Sequence, residues 1–226
     1  GINGTISGSN ENIDKIVQYL RNWKEIDNIE VKYSYSSQNG FYRMKVKVKK
    51  EIVTMGKPSI NPSVTKGTYI EPENWNKLIS DENVVVVDTR NTYETGVGKF
   101  TGSIDPKTKN FREFPLWADQ FATNKLNKNK KIAMYCTGGI RCEKASSYLI
   151  KKGFKEVYQL EGGIIQYAHD MKKNDLESEF IGKNFVFDDR MGERVTSDIV
   201  GQCHQCKSPS DNHKNCKNQA CHILFI

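Results

Sequence analysis

The sequence predicts an α/β protein with a parallel sheet covered by helices on both faces, preceded by a small α+β domain and followed by a cysteine-rich extension. Three observations support this prediction. Short apolar runs alternate with helical patterns in the middle of the chain, a helix and two alternating strands precede them, and four of the six cysteines lie after residue 200. We expect domains at residues 1–58, 59–175 and 176–226.

The first domain begins with a helical pattern and continues with two predicted strands. Apolar residues recur at helical spacing within residues 12–23, and Ser9 or Asn10 is a candidate N-cap. Residues 29–35 and 41–48 alternate like strands on either side of Gln38-Asn39-Gly40. A helix followed by a hairpin is typical of an acylphosphatase or ferredoxin-like domain, with a first strand that is lost or begins at Gly1.

The second predicted strand carries a basic stripe, because side chains alternate between the two faces of a strand. The stripe consists of Arg43, Lys45, Lys47 and Lys49, and Met44, Val46 and Val48 point the other way. One interpretation is a solvated face that protects the strand from aggregation. The other is a set of phosphate contacts with a nucleic acid. The net charge of +7 lies in the first two thirds of the chain and favours a polyanionic partner.

The middle of the chain alternates between strand and helix signals. Residues 84–87, 132–135 and 157–160 are short apolar runs typical of buried strands, and a helical pattern follows each. Gly153 is placed to end a helix that begins near Arg141. This order predicts a parallel sheet with helices on both of its faces.

A cysteine and two glycines connect one of these strands to its helix. Cys136 and the loop residues Thr137, Gly138, Gly139 and Ile140 precede Arg141 and Cys142. Active sites of open α/β sheets form at this end of a strand. The glycines allow backbone N–H groups to converge on the Cys136 sulfur, and the helix N-terminus and Arg141 add positive charge. We therefore predict a reactive Cys136 thiolate.

The spacing of this loop separates two kinds of chemistry. Four residues lie between Cys136 and Arg141, whereas the phosphate cradle of cysteine phosphatases has five. The tighter loop favours a persulfide on Cys136 over a phosphocysteine. Cys142 is either a resolving thiol or a packed helix residue, and we favour packing. Asp88, Arg90 and Glu94 are interpreted as structural charges that brace the sheet edge and its loops.

Several motifs in order resemble the rhodanese-like tRNA uridine-34 hydroxylases across essentially the whole chain. The central region resembles a rhodanese domain in its Asp-x-Arg-x-x-x-Glu box (88–94), its glycine-containing connector (100–106) and its closing Gly-Gly turn (160–167). The narrower resemblance adds G-I-N-G-T-I (1–6), F-R-E-F-P (111–115), C-T-G-G-I-R-C-E-K-A (136–145), F-V-F-D-D-R (185–190) and the cysteine-rich tail.

This resemblance implies oxygen-dependent hydroxylation of the wobble uridine to 5-hydroxyuridine, with Cys136 as the essential cysteine. It also implies a tRNA anticodon stem-loop as partner and molecular oxygen as co-substrate. Two routes stay open, because the Cys136 thiolate adds to uracil C6 in one and is itself oxidised first in the other. No Gly-x-Gly-x-x-Gly fingerprint or iron-binding triad is present in the sequence, so we expect no bound organic cofactor.

The tail has four cysteines with the spacing of a small metal knuckle, namely Cys203, Cys206, Cys216 and Cys221, and His204, His213 and His222 lie among them. A reducing compartment favours zinc binding by these cysteines over disulfide formation. The second pair is Cys-x-x-x-x-Cys, which departs from the usual pattern, and related chains continue with further cysteines. Zinc and a set of packed, reduced thiols therefore both stay open.

Two other functions compete with RNA hydroxylation. A sulfurtransferase would carry sulfane sulfur on Cys136, and a non-catalytic module would use only the basic surface to bind RNA. The longest apolar run is far shorter than the roughly 20 residues of a membrane-spanning helix, and no signal-peptide pattern is present, so we expect a cytoplasmic protein without a membrane partner.

Overall fold

A computed structural model describes residues 1–26, 28–37, 40–124, 127–218, 220–221 and 223–226. Fifteen helices and strands are labelled here in chain order. They are α1 (Asn10–Arg21), β1 (Thr68–Ile70), α2 (Pro72–Ile79), β2 (Val84–Asp88), α3 (Thr92–Thr95), β3 (Gly98–Phe100), α4 (Phe114–Thr123), β4 (Lys131–Tyr135), α5 (Ile140–Lys151), β5 (Val157–Leu160), α6 (Gly163–Lys173), β6 (Phe180–Asn184), β7 (Glu193–Arg194), β8 (Lys214–Asn215) and β9 (Leu224–Phe225). Short 3₁₀ turns lie at Phe111–Glu113 and Asn127–Asn129.

The central sheet has four parallel strands in the order β1-β5-β4-β2. The three predicted strands are confirmed as β2, β4 and β5 and differ from the prediction by at most one residue at either end. The sheet also contains β1, which pairs with β5 and was not predicted. All four strands run in the same direction, so their carboxyl ends meet at one edge of the sheet.

Helices cover both faces of this sheet, as predicted. Strand β4 shows why, because its residues alternate between two cores. Ile132 and Met134 pack with α4 and α5, whereas Ala133 and Tyr135 pack with α2 and α6. A strand that buries side chains on both faces must be apolar along its length, which explains the unbroken apolar runs in the sequence.

Helix α5 leads away from the loop that carries Cys136. It begins at Ile140 and ends at Lys151, and Gly153 follows with a φ of +93°. The Gly153 N–H donates to the Ile150 carbonyl at 2.9 Å. The left-handed backbone favours glycine at this position, so the predicted helix end is confirmed.

The C-terminal extension packs against the parallel-sheet region through an antiparallel sheet in the order β3-β6-β7. Strand β3 comes from the middle of the chain, whereas β6 and β7 come from the extension. Phe180 of β6 lies opposite Phe100 of β3, and the two rings meet edge to face with 5.3 Å between their centroids. Both rings are fully buried, so this part of the extension belongs to the core.

The N-terminal region differs from the prediction in its strands. Helix α1 is confirmed, and Ser9 is its N-cap. The predicted strands at 29–35 and 41–48 are wrong for the described residues, since neither range forms a strand, and Gln38 and Asn39 of the predicted turn lie outside the described residues. Met44, Val46 and Val48 are exposed. A hairpin needs a covering layer to be stable, and these side chains have no core to enter.

Residues just after this region pack onto α5. Met55 and Ile60 are buried with the apolar residues of α4 and α5. The Glu51 carboxylate accepts a hydrogen bond from the buried Lys144 ammonium of α5 and two from the backbone N–H groups of residues 56 and 57. No helix among the described residues is long and apolar enough to cross a membrane.

Candidate active site

The loop that carries Cys136 leaves β4 at the carboxyl edge of the parallel sheet. The start of α6 holds it from behind, because the Ile164 N–H donates to the Cys136 carbonyl at 3.0 Å and the Ile165 N–H to the Thr137 carbonyl at 3.1 Å. A Cβ at Gly163 would lie 2.5 Å from the Cys136 carbonyl oxygen, and Gly163 has a φ of +65°. The Gly-Gly turn before α6 is therefore part of the site, since only glycine allows this approach.

The two glycines of the loop differ in what they provide. Gly139 has a φ of +93°, a conformation that other residues rarely adopt, and its N–H donates to the Cys136 sulfur at 3.1 Å. A Cβ at Gly138 would meet no atom within 4 Å. Gly139 is thus needed for the backbone turn, whereas Gly138 lines open space.

The Cys136 side chain is only 2% exposed, and its surroundings still favour the charged form. Burial raises the pKa of a thiol, but the hydrogen bond with the Cys142 side chain, the charge of Arg141 and nearby backbone N–H groups outweigh it. Together they lower the pKa of Cys136 to about 5. The residue is therefore a thiolate at neutral pH, which is the nucleophilic form.

Cys142 lies under the loop, in the first turn of α5. It is fully buried, and its sulfur is 3.5 Å from the Thr89 hydroxyl oxygen. Burial raises the pKa of Cys142 well above its usual range, and the neighbouring Cys136 thiolate raises it further. The Cys142 thiol therefore keeps its proton, and its side chain helps to lower the pKa of Cys136, a role that goes beyond packing.

Arg141 forms a bidentate ion pair with Glu94. Its Nη1 and Nη2 donate to the two Glu94 carboxylate oxygens, each at 2.6 Å. The Thr137 hydroxyl donates to the same carboxylate at 3.0 Å. Burial raises the pKa of Glu94, but the charge of Arg141 outweighs this effect and lowers it, so the carboxylate stays ionised. Glu94 thus fixes the loop at two points.

Glu94 is the site residue that sequence reasoning placed only among the structural charges. It lies 47 residues before Arg141, at the third helical position of α3. The signal in the sequence is the Asp-x-Arg-x-x-x-Glu box, whose other two members pair with each other. Arg90 donates to the Asp88 carboxylate at 2.7 Å and to the Gly98 carbonyl at 2.6 Å, with both charged side chains buried. That pair braces the sheet edge as predicted.

A cavity of about 180 Å³ opens beside the loop, on the side of Gly138 and Gly139. Three carboxylates line it, from Glu30, Glu143 and Glu161. The Tyr69 hydroxyl donates to Glu143 inside this cavity. Burial and the neighbouring Glu143 raise the pKa of Tyr69, so the phenol stays neutral. Lys32 pairs with Glu30 at 2.8 Å and Lys66 lies 3.8 Å from Glu143, so these cations offset part of the negative charge. Carboxylate oxygens in the lining suit a neutral group with N–H donors.

The basic stripe is exposed on both of its sides. Arg43, Lys45, Lys47 and Lys49 face solvent, as do the apolar residues between them, so the stripe is not one face of a strand. The charge of Lys47, and then that of Arg43, lowers the pKa of Lys45. The cations are therefore close enough to repel one another.

The four tail cysteines Cys203, Cys206, Cys216 and Cys221 are free thiols. The Cys206 thiol donates to the Ser208 hydroxyl oxygen at 3.4 Å, and hydrogen bonds from Ser208 lower the pKa of Cys206 to about 7. Among the described residues, which exclude His222, no three His, Cys, Asp or Glu side chains are placed to share a metal ion. The described part of the tail therefore brings no set of zinc ligands together.

Three family models match successive parts of the chain. They are a "UPF0176 acylphosphatase like domain" over residues 1–52, a "Rhodanese-like domain" over 71–170 and "Rhodanase C-terminal" over 181–226. Among solved structures, a protein of unknown function from Rhodopseudomonas palustris, described as a possible tyrosine phosphatase, is 22% identical with a TM-score of 0.42, covering 57% of this chain and 96% of its own. The fold and its thiolate loop define a protein of the rhodanese class.

Two relatives that match nearly the whole chain identify the family within the rhodanese class. A "tRNA uridine(34) hydroxylase" of Prochlorococcus marinus (strain MIT 9312) is 48% identical over 213 residues, covering 92% of this chain and 68% of the relative. A protein of the same name from Bartonella quintana (strain Toulouse) is 47% identical over 211 residues, with the same coverage. The chain belongs to the tRNA uridine(34) hydroxylase family, which confirms the resemblance found in the sequence.

Proposed function

We propose that this protein hydroxylates the wobble uridine, position 34, of tRNA and forms 5-hydroxyuridine. The observation that carries the proposal is a buried Cys136 thiolate with a pKa of about 5, in a chain nearly half identical to proteins named tRNA uridine(34) hydroxylase. Such a thiolate is a ready nucleophile at neutral pH.

Cys136 is the proposed catalytic residue, and Arg141 the proposed source of positive charge beside it. In one route the thiolate adds to uracil C6, and C5 then takes one oxygen atom of O₂ while an external two-electron reductant reduces the other atom to water. C5 loses its proton and the C6–S bond breaks, which restores the ring double bond and the thiolate. In the other route O₂ and the same reductant convert Cys136 to the sulfenic acid and water, C5 takes the hydroxyl group from sulfur and loses its proton, and the thiolate is restored. In either case Gly139 and Cys142 act on the Cys136 sulfur directly. The other proposed loop residues are Thr137, Gly138 and Ile140.

The charge around the loop supports a neutral base as the reacting group. The cavity beside Gly138 and Gly139 is lined by three carboxylates. Both Nη atoms of Arg141 already bind Glu94. A phosphate would therefore have to compete with Glu94 for the guanidinium. Uracil carries no charge, and its N3–H is a donor for carboxylate oxygens.

We further propose that the anticodon stem-loop is the bound part of the tRNA, with its unpaired bases splayed toward Cys136. The basic N-terminal domain, residues 1–58, would contact its phosphates through Arg43, Lys45, Lys47 and Lys49. Molecular oxygen is the proposed co-substrate, without a bound organic cofactor. A tRNA substrate places the reaction in the cytoplasm.

The test is nucleoside mass spectrometry of tRNA from cells that lack the protein. Complementation with wild type is expected to restore 5-hydroxyuridine at position 34, whereas Cys136→Ala restores none. Cys206→Ala is the matched control, because it removes an exposed thiol with a lowered pKa far along the chain, and it should behave as wild type. Unchanged 5-hydroxyuridine in the deletion strain would overturn the proposal.

Two further measurements separate the chemical routes. Reaction under ¹⁸O₂ should place ¹⁸O in the product, and label from water instead would exclude oxygen as the co-substrate. Mass spectrometry of the trapped enzyme should show either an RNA adduct on Cys136 or an oxidised Cys136 without RNA. A protein that transfers sulfane sulfur but leaves uridine unmodified would be a sulfurtransferase.

A further inference from the structure

An exposed aromatic ring lies beside the active-site loop. Phe187, in the segment that follows β6, is 54% exposed. The guanidinium carbon of Arg141 lies 5.8 Å from the centroid of its ring. Single exposed apolar side chains are normal on a protein surface, so what sets Phe187 apart is its contact with Arg141 of the active-site loop.

Phe187 is held by other rings. It meets Phe185 edge to face at 5.4 Å between centroids, with 76° between the ring planes. Phe185 is buried and makes the same kind of contact with Tyr93 at 5.0 Å and with His213 at 5.2 Å. We call these four residues the aromatic cluster. Its members come from α3, the segment after β6 and the cysteine-rich tail.

The aromatic cluster includes a residue of α3, the helix whose Glu94 side chain binds Arg141. Tyr93 immediately precedes Glu94 in α3, and Glu94 is the partner of Arg141. His213 is buried, and burial together with the charge of Lys183 lowers its pKa, so its ring is neutral at pH 7. The ring of Phe187 is thus fixed relative to the loop from two directions, which is what a rigid binding surface requires.

The chemistry of this surface suits a base more than a phosphate. The two Nη atoms of Arg141 donate to Glu94. The contact surface that remains is the flat, apolar ring of Phe187 with the Arg141 guanidinium at its side. Unpaired RNA bases stack on exposed aromatic side chains, and this contact depends little on base identity because every base has a π face.

We propose that Phe187 is a stacking platform for an unpaired RNA base at the mouth of the Cys136 loop, either the target uridine or its neighbour in the chain. The identity of this RNA as an anticodon loop rests on the proposed function. The stacking contact itself does not, because it requires only an unpaired base.

The test compares Phe187→Ala, Phe187→Leu and Phe187→Trp with wild type in binding to an anticodon stem-loop RNA with 2-aminopurine at position 33, 34 or 35. Loss of the ring should raise Kd roughly 5- to 100-fold and abolish the quenching of the stacked 2-aminopurine. Phe187→Trp should bind within about twofold of wild type. Phe187→Leu keeps the apolar bulk without the π face, so it should also lose quenching and covers the case in which the alanine variant fails to fold.

Two controls make the result specific. Phe225→Ala removes another partly exposed phenylalanine of the same extension, and it should leave Kd and quenching unchanged. A blunt-ended RNA duplex should bind all variants alike, because it offers no unpaired base. Wild-type affinity and quenching in Phe187→Leu would overturn the inference, as would an equal loss for both RNAs. Quenching is read without turnover, so absence of hydroxylation in wild type would instead count against the proposed function.

Discussion

The two groups of cysteines in this protein have the same side chain and opposite surroundings. Cys136 and Cys142 are buried at the carboxyl edge of the sheet, where one sulfur is a thiolate and the other keeps its proton. Cys203, Cys206, Cys216 and Cys221 lie on the extension and are half-buried or exposed. Hydrogen bonds with Ser208 are the main cause of the lowered pKa of Cys206.

This difference teaches that a fixed environment, more than the number of thiols, makes a cysteine a nucleophile. Burial opposes the charged form of Cys136, and the loop overcomes it with a thiol donor, a guanidinium and backbone N–H groups held in place by Glu94 and α6. Cys206 reaches a pKa of about 7 in solvent, through hydrogen bonds with the side chain and backbone of Ser208 and with the Cys203 side chain. The first thiolate is selective because few molecules can reach it.

The largest expected effect comes from removing the charge that holds Arg141. Glu94→Gln leaves a buried guanidinium without its counter-charge and should lower the free energy of unfolding by about 3–5 kcal/mol at pH 7. Urea denaturation measures this. Folding lowers the pKa of Glu94, so the carboxylate stabilises the protein above its usual pKa of 4.5, and the difference between variant and wild type should shrink as the pH falls below that value.

A matched control for Glu94 is Glu11→Gln in α1. Glu11 pairs with Lys15, but both side chains are largely exposed, so the change should cost less than about 1 kcal/mol. Equal stability losses in the two variants would contradict the role given to the buried pair.

A somewhat smaller effect is expected from the turn behind the loop. Gly163→Ala introduces a Cβ next to the Cys136 carbonyl at a φ of +65° and should cost roughly 2–5 kcal/mol from backbone strain and overpacking. Gly138→Ala has open space and should change stability by less than about 0.5 kcal/mol. Thermal or urea unfolding of both variants measures this difference in stability. Equal stability of the two variants would contradict the role given to Gly163.

The smallest effect concerns the pH dependence of alkylation. In wild type, iodoacetamide should modify Cys136 at a rate that is flat above about pH 6, whereas the rate at Cys206 should rise through pH 7. Cys142→Ala removes a hydrogen bond that lowers the pKa of Cys136, so the Cys136 profile should move to higher pH. Cys142→Ser keeps a donor and should stay closer to wild type.

Peptide mass spectrometry gives both rates in one sample, so Cys206 is an internal reference. A Cys136 profile that does not move in Cys142→Ala would show that the backbone N–H groups and Arg141 are sufficient to ionise this thiol.

The parallel sheet could be predicted because its strands carry their information locally. Residues 84–87, 132–135 and 157–160 are apolar at every position or nearly so, which follows from burial on both faces. The N-terminal strands could not be predicted in the same way. An alternating pattern such as that from Met44 to Val48 indicates which side chains would share a face of a strand. A strand forms only where a partner strand and a core exist, and here the apolar side chains are exposed.

The residues of the candidate site also differ in whether the sequence alone could predict them. Cys136, the loop glycines and Arg141 follow one another in the sequence, so their chemistry could be predicted from spacing. Glu94 and Phe187 approach Arg141 only after folding, from positions 47 residues before it and in the extension after β6. Both residues lie in motifs that can be seen in the sequence, but neither motif states that its residue contacts Arg141, because that contact joins elements far apart in the chain.

The Glu51–Lys144 pair bears on how the protein can be divided. A fragment beginning at Ser59 would keep the Lys144 ammonium, which is buried in α5, and lose the carboxylate that neutralises it. It would also lose Met55 from the core beside α4 and α5. An unpaired buried charge alone costs about 3–5 kcal/mol, a large share of the stability of a typical domain. The N-terminal segment therefore supports α5, the helix that follows the Cys136 loop. Its contacts with α5 come from residues that precede the first strand of the sheet.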